Sequence, residues 1–444
     1  RNIEQTKILD FNALRAILGI VTSNRFIQRS QLSQMATENN IKELLKFNAQ
    51  IINAHQCTDF YYDPHVKRYS GMEKILKGWC STIKGVAKIL NMDFIHLAPT
   101  GHPLYVELAD NFHSMADRFN KELKDFRTTL GYENKILTFI FDRGIFSFEV
   151  FETIITDKLI HIITWEKGYK KDKWDEQKIS GTFSLFRKRN NSHDLFKYDF
   201  EYIDQEWGKK KKMRQLIIQA TNPKGRRIEV SVLTDDQTRA AEEVIKLMFS
   251  RWVQENDFKY ENKHFGINEI TSYSVSSYNK LKNLVEDKQT KRGEYKALER
   301  GAQIIKGKLK NALLKKHTIK NDKRRKELEG DIKKLSDELD EIKASISAVA
   351  KEGSKIEELI ENDYKCLNTQ NKKYMDYIKI IARNIFYKVL EPFKKRYDNY
   401  RDDHVIFRNM SQAHGLVSFA DDKVKVIIFP TAHHQPKVRR IIED

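Results

Sequence analysis

Cysteine is scarce in this chain. The three present, Cys57, Cys80 and Cys366, are scattered without the paired spacing of a zinc site or a disulfide framework, which predicts a reducing, intracellular setting. No apolar run approaches the roughly 20 residues needed to cross a bilayer, so no membrane role is expected. The chain opens on Arg1 with neither an initiator Met nor a charged-apolar leader, and so reads as a fragment or trimmed chain. Proline is absent between Ser274 and Tyr364. Acidic residues are outnumbered, 62 against 80 Lys and Arg, and the net charge is +18. That surplus faces solvent or an anionic partner; nucleic acid is the first candidate and an unspecialised basic surface the alternative.

At 444 residues the chain exceeds one ordinary core and predicts about two to four structural units. Residues 1–55 read as helices, with FNALRAIL and IKELLKFNAQIINA carrying apolar residues at three- and four-residue spacing. Over 56–167, strand-like runs (TDFYYD, MDFIHLAP, PLYVELAD, ILTFIFD, LIHIITWE) alternate with the helical patterns of NFHSMADRFNKELKDF and FSFEVFETIIT. The alternation implies an α/β mixed sheet with flanking helices, including a hairpin about Thr100-Gly101-His102. Residues 168–234 hold four short strand-like runs between charged turns and read as an all-β insertion. Over 235–273 helical pattern resumes, with Asp235, Asp236 and Thr238 as expected caps and Gly266 as its stop. Residues 274–364 are basic and helical, and Leu335, Leu339, Ile342, Ile346 and Val349 step at heptad spacing, as in a coiled coil. Residues 365–444 end in a helix and a small β-like tail.

The chemistry is expected at two places where an apolar run meets a carboxylate. ILTFIFDRG stops on Asp142, and TDFYYDPHVKRYSG puts Asp63 at the end of its apolar run, before a proline that cannot continue a central ladder. Functional groups of open α/β sheets cluster at the carboxyl ends of strands, although an Asp in such a place also serves as a helix cap. In RWVQENDFKY, Arg251 and Glu255 stand four apart and share a helix face. Asp63, Asp142 and Glu255 together would suit a pair of hard cations such as Mg²⁺, with Mn²⁺ as substitute. Two such ions about 4 Å apart activate a water or 3′-hydroxyl for in-line attack on a phosphodiester.

On YYDPHVKRYSG, TFIFDRGIFSFEVF and RWVQENDFKYENKHFGINEITSY, residues 55–275 resemble an insertion-sequence transposase of the DDE type. The resemblance implies a ribonuclease H-like catalytic domain with a β-rich insertion between the second and third acids, which lie 113 residues apart. It also implies metal-dependent cleavage and strand transfer on DNA in a prokaryotic cytoplasm, beside the nucleoid. The family pattern departs at two places, where Met248 stands for a Tyr and Asn262 for a Lys, with Lys263 one residue late. DNA contacts are expected from Arg143, Arg251, Lys259, Lys263, His65 and Lys67. For Arg143 an acid partner, and for His65 a partly buried polar role, are the plainer alternatives. Trp165, Trp174 and Trp207 are either core residues or a plate for a flipped base. Asp59, Asp93, Glu107 and Asp110 are rival carboxylates, and His433 and His434 have no partners at ligand spacing. The heptads predict a homodimer on DNA. Two other functions share these residues: a DNA-binding protein derived from a transposase, and a nuclease that cuts without joining.

Overall fold

A computed structural model describes residues 29–110, 115–142, 151, 157–171, 174–188, 195–208, 213–251, 260–269, 274–277, 289–291, 293–318, 322–349, 352–355, 364–397, 403–411, 415–420 and 423–429. The chain divides into two compact units, one of Arg1–Ser70, Lys77–Tyr273 and Asn368–Asp444, the other of Gly71–Leu76 and Ser274–Leu367.

The first unit opens with α1 (Arg29–Met35) and α2 (Glu38–Ile51). The Thr37 hydroxyl accepts from Asn40 N at 3.2 Å and so caps α2. Strands β1 (Asp59–Arg68), β2 (Lys77–Cys80), β3 (Gly85–Leu97) and β4 (Pro103–Ala109) follow. β3 runs antiparallel to β1, β2 and β4, and the β3–β4 turn holds Gly101 at φ 79°, a conformation glycine adopts without strain. Helix α3 (Met115–Leu130) then carries the chain across to β5 (Leu137–Phe141) and β6 (Ile160–Trp165), both parallel to β1. Every residue of β5 is buried, the pattern of a parallel strand covered on both faces. The helix expected over FSFEVFETIIT lies outside the described residues except at Phe151, as does FNALRAIL altogether.

The four expected β runs form β7 (Gly181–Lys188), β8 (Leu195–Glu206), β9 (Arg214–Thr221) and β10 (Arg227–Thr234). They do not stand apart as a sheet of their own: β10 pairs antiparallel with β6, so the meander continues one ten-stranded mixed sheet. A buried carboxylate fastens the join. Glu166, just past β6, accepts from Trp207 Nε1 at 3.2 Å, Gln215 Nε2 at 2.6 Å and Ser231 Oγ at 2.8 Å. Trp207 is thereby a core residue, 2 % exposed.

Helix α4 (Ala241–Ser250) packs Val244, Ile245, Leu247 and Met248 against Tyr61, Ile140 and Ile163 and the inner faces of β8–β10. The expected caps do not cap it. Its N-cap is Ala240, without a side-chain bond. Asp236 instead closes a turn on Thr238 N (2.9 Å) and Arg239 N (3.0 Å), while Asp235 accepts from Ile162 N at 2.7 Å. Their oxygens are engaged before the helix begins.

After a helical turn over 260–265, Gly266 takes φ 63° and stops it as expected. The unit closes with α7 (Gln370–Arg396), which packs on α2 and β4, then α8 (Asp403–Ser411) and a hairpin of β15 (Gly415–Ala420) and β16 (Lys423–Ile428).

In the second unit, short pairs join β11 (Val275–Ser277) to β14 (Lys365–Leu367) and β12 (Gln289–Lys291) to β13 (Glu352–Lys355). Between them α5 (Gly293–Thr318) and α6 (Asp322–Ala348) form a helical hairpin. Leu339, Leu335, Ile342 and Ile346 of α6 pack with Ala302, Ile305 and Leu309 of α5. The heptad stripe is thus satisfied within the chain and supplies no argument for a dimer, which corrects the basis of that expectation. A stripe of apolar residues records that a helix is covered, and an antiparallel neighbour covers it as well as a second copy does.

Candidate active site

The last parallel pair between β1 and β5 is Tyr62 with Phe141, and the residue after each is a carboxylate, Asp63 within β1 and Asp142 just past the end of β5. Neighbouring strands run roughly 4.8 Å apart, so the two acids stand side by side where β1 loses its parallel neighbour. Asp63 does not end its strand, contrary to expectation: β1 runs on to Arg68, paired with β3 alone. From Asp63 onward β1 is an edge on the β5 side, which is where Pro64, lacking an N–H, is tolerated. Asp63 is half-buried, and the Asp142 side chain is 46 % exposed.

Side chains alternate along a strand, so Asp63 shares the face of Tyr61, whose hydroxyl donates to Leu247 O of α4 at 3.2 Å. Asp142 turns to the same side. Arg251, one residue past α4 and buried, brings Nη2 to 3.4 Å from Asp142 Oδ2. The end of α4 is itself held, by an arginine that sequence reading passed over. Arg187 of β7 donates to Phe249 O and to Ser250 Oγ, both at 3.1 Å, placing a cation on the helix's carbonyl end. No spacing in the sequence links residue 187 to 249; only the curl of the meander over α4 does.

Of the other expected site residues, Glu255, Arg143 and Lys259 lie outside the described residues. Lys263 is exposed, and Lys67 lies on β1 beyond Asp63. Burial, and then Lys67, push the His65 imidazole down, while Asn268 hydrogen-bonds to it. Met248, where the family pattern has a Tyr, is 1 % exposed in the core under α4, so its place is filled by packing. Trp165 packs edge-on to Phe249 at 5.3 Å.

Three of the four rival carboxylates pair with buried or half-buried cations. Asp59 pairs with Arg239 at 2.8 Å, Asp93 with Arg118 at 2.7 Å and Glu107 with Lys373 at 2.6 Å. A further acid, Glu122 of α3, is buried: burial first, and Asp93 beside it, push its carboxyl well up, and Tyr62 donates to it at 2.8 Å. It lies on the opposite face of β1 from Asp63, among Phe119 and Phe141, and serves the core.

The segment that ends at Gly266, downstream of the expected third acid, is gripped from α7. Lys379 Nζ donates to Gly266 O at 2.8 Å and Lys372 Nζ to Ile267 O at 3.0 Å. Both ammonium groups share Asp376, at 3.5 and 2.7 Å, and all three residues are buried. Arg408 of α8 meets His264 at 2.6 Å.

Among the described residues no group of three or more His, Cys, Asp or Glu is gathered about a metal position, and Glu255 is not one of those residues. Asp63 and Asp142 nonetheless suit a hard cation: both offer carboxylate oxygens, both reach solvent, and two such charges side by side repel unless a cation joins them. No helix among the described residues is long and apolar enough to cross a membrane.

Comparison with known proteins adds the following. No curated protein sequence matches the chain. Among solved structures it is similar to the piggyBac transposase synaptic complex with hairpin DNA, at 10 % identity and a TM-score of 0.26, over 91 % of this chain and 74 % of that one. It is also similar to the Mos1 strand transfer complex, at 14 % identity and a TM-score of 0.17, over 34 % of this chain and 48 % of that one. Both likenesses are slight. A family model described as "transposase protein" matches residues 34–399, more than half of the sequence. The chain belongs to that transposase family.

Proposed function

We propose that the protein cuts DNA and joins the freed strand to a target, as a transposase of the DDE type with Asp63, Asp142 and Glu255 as its acids. The observation that carries this reading is the pair Asp63 and Asp142, one step beyond the last parallel rung and on the face that α4 covers. The strand order β4-β3-β1-β5-β6, antiparallel through β1 and parallel after it, supports a ribonuclease H-like core. Glu255 would join the acids from the segment that begins at Arg251.

Two Mg²⁺ ions held there, with Mn²⁺ as substitute, would activate the attacking oxygen and stabilise the leaving one. The chain's own part is positioning. Buried strands hold Asp63 and Asp142 in register, and Arg251 orients the Asp142 carboxylate and offsets one of the crowded negative charges. Arg143, Lys259 and Lys263 supply positive charge for phosphate in the same stretches.

The test uses supercoiled plasmid carrying the DNA that flanks the gene, incubated with the protein and Mg²⁺ or Mn²⁺. Metal-dependent cuts at discrete positions followed by joined strands, and absent in Glu255→Gln and Asp142→Asn, are expected. Cuts without joined products would reduce the activity to that of a nuclease. Binding without cutting by the wild-type protein would overturn the reading.

A further inference from the structure

The last four carbonyls of an α-helix have no partner within it. In α4 three of them, on Leu247, Met248 and Phe249, accept from the Tyr61 hydroxyl at 3.2 Å, the Arg251 amide at 3.3 Å and Arg187 Nη1 at 3.1 Å. Arg187 Nη2 also donates to Ser250 Oγ at 3.1 Å, so one guanidinium holds the two residues that precede Arg251. Its planar fork makes both bonds at once, which a lysine ammonium on a flexible stem does not reproduce. Arg251 itself keeps helical geometry, with φ −56° and ψ −32°, and its guanidinium reaches Asp142 at 3.4 Å. A shift of the helix end is therefore passed to Arg251 and from it to the acid.

β7 aims Arg187 at this point. Side chains alternate along a strand, and Phe183 and Leu185 pack on the core beneath α4, so Arg187 continues the same face. Phe183 stacks on Phe200 at 4.9 Å, and Phe200 meets Phe249 edge-on at 4.9 Å. Ring packing fixes the Phe249 side chain, while Arg187 fixes its carbonyl. β7 is the last strand of the large sheet, and β6, β10, β9 and β8 lie between it and β5. The Arg187 contact bypasses those four strands and joins the meander directly to the helix end beside Asp142.

We infer that Arg187 is a positioning residue for the acid site, acting through Arg251 on the Asp142 carboxylate and tying the β7–β10 meander to the chemistry. The inference rests on the DNA-cutting function proposed above. Without the half-buried guanidinium the last carbonyls of α4 turn to water, the helix end frays, and Arg251 no longer holds Asp142 in one orientation. A misplacement of ~1 Å by a group outside the chemistry slows a reaction about 100-fold.

The test compares Arg187→Ala, Arg187→Lys and Ser250→Ala in the full chain by metal-dependent cutting of the flanking-DNA plasmid, with rate measured against plasmid concentration. Near-UV circular dichroism sets a temperature at which every variant is as folded as wild type, so that a loss of bulk stability alone moves nothing. Arg187→Ala is expected to lower the maximal rate about 10- to 100-fold with the half-saturating plasmid concentration unchanged. Arg187→Lys should recover part of that loss through one charged bond to the Phe249 carbonyl. Ser250→Ala should lower the rate about threefold, the scale of one ordinary hydrogen bond. Hydrogen exchange of residues 241–251 should quicken in Arg187→Ala while β9 and β10 exchange as in wild type, and unchanged exchange at the helix end overturns the inference. A raised half-saturating plasmid concentration at an unchanged maximal rate overturns it too, by making Arg187 a DNA contact. If the wild-type protein cuts and Arg187→Ala cuts as fast, this inference alone fails. If the wild-type protein never cuts, the proposed function fails and this inference with it.

Discussion

Asp376→Asn tests the grip of α7 on the segment around Gly266 and Ile267. Asp376 is fully buried, its Oδ2 at 2.7 Å from Lys372 Nζ and its Oδ1 at 3.5 Å from Lys379 Nζ, and the lysine side chains are 2 % and 6 % exposed. Removing the carboxylate leaves two buried ammonium groups bonded to the carbonyls of Ile267 and Gly266, with Glu269 as a further acid acting on Lys379. Breaking a buried pair on one side costs about 3–5 kcal/mol, because the remaining charge stays desolvated. Burial already pushes the Lys379 amine down, and Asp376 counteracts that push. Without Asp376 the lysine sheds its proton more readily, so the variant's deficit should shrink as pH rises. Urea unfolding followed by near-UV circular dichroism at pH 7 and pH 9 measures both effects. A variant within about 0.5 kcal/mol of wild type at pH 7, the range of ordinary surface changes, would refute the account. In the plasmid assay the same variant should also cut more slowly at temperatures where it remains folded, since the segment ending at Gly266 is then less firmly held.

Stability should also fall in mild acid. His96 is pushed down to about 3 and His102 to about 4, each chiefly by burial and then by Arg383. Arg383 Nη1 approaches His102 Nδ1 at 2.6 Å, a contact that requires an unprotonated nitrogen. Between about 6.5 and 4 the unfolded chain binds protons the folded one does not, so stability present above 6.5 declines as pH falls through that window. His102→Asn should flatten the dependence of the urea midpoint on pH, and an unaltered dependence would count against it. Leu339→Ala should cost about 2–5 kcal/mol in the helical hairpin of α5 and α6 and leave the sedimentation-derived mass unchanged. A change of mass would reassign that contact to a second copy. Asp63→Asn and Asp142→Asn should each reduce metal-dependent cutting below detection while leaving duplex affinity near wild type; loss of binding instead would make the acids structural.

Local pattern alone was enough to find most elements. β5 was legible because five successive buried residues ending in a charge have few other uses, and β7 to β10 because each run is bounded by polar turn residues. The juxtaposition of Asp63 and Asp142 was partly legible for the same reason, since both follow apolar runs. What the pattern left open was set by contacts distant in sequence. Asp63 and Asp59 belong to one strand, and burial statistics favour neither. The parallel register with β5 puts Asp63 beside Asp142, while Arg239, from 180 residues away, takes Asp59. The heptads of α6 specified a covered face but not its cover, because van der Waals packing does not distinguish a neighbouring helix from another chain. Arg187 carried no local signal, and the spacing of Lys372, Asp376 and Lys379 showed a shared helix face but not its burial, since a lysine destined for burial has the same neighbours in sequence as one destined for solvent. Periodicity fixes which way a side chain faces along its own element; which charges meet depends on chain reversals that no short window records.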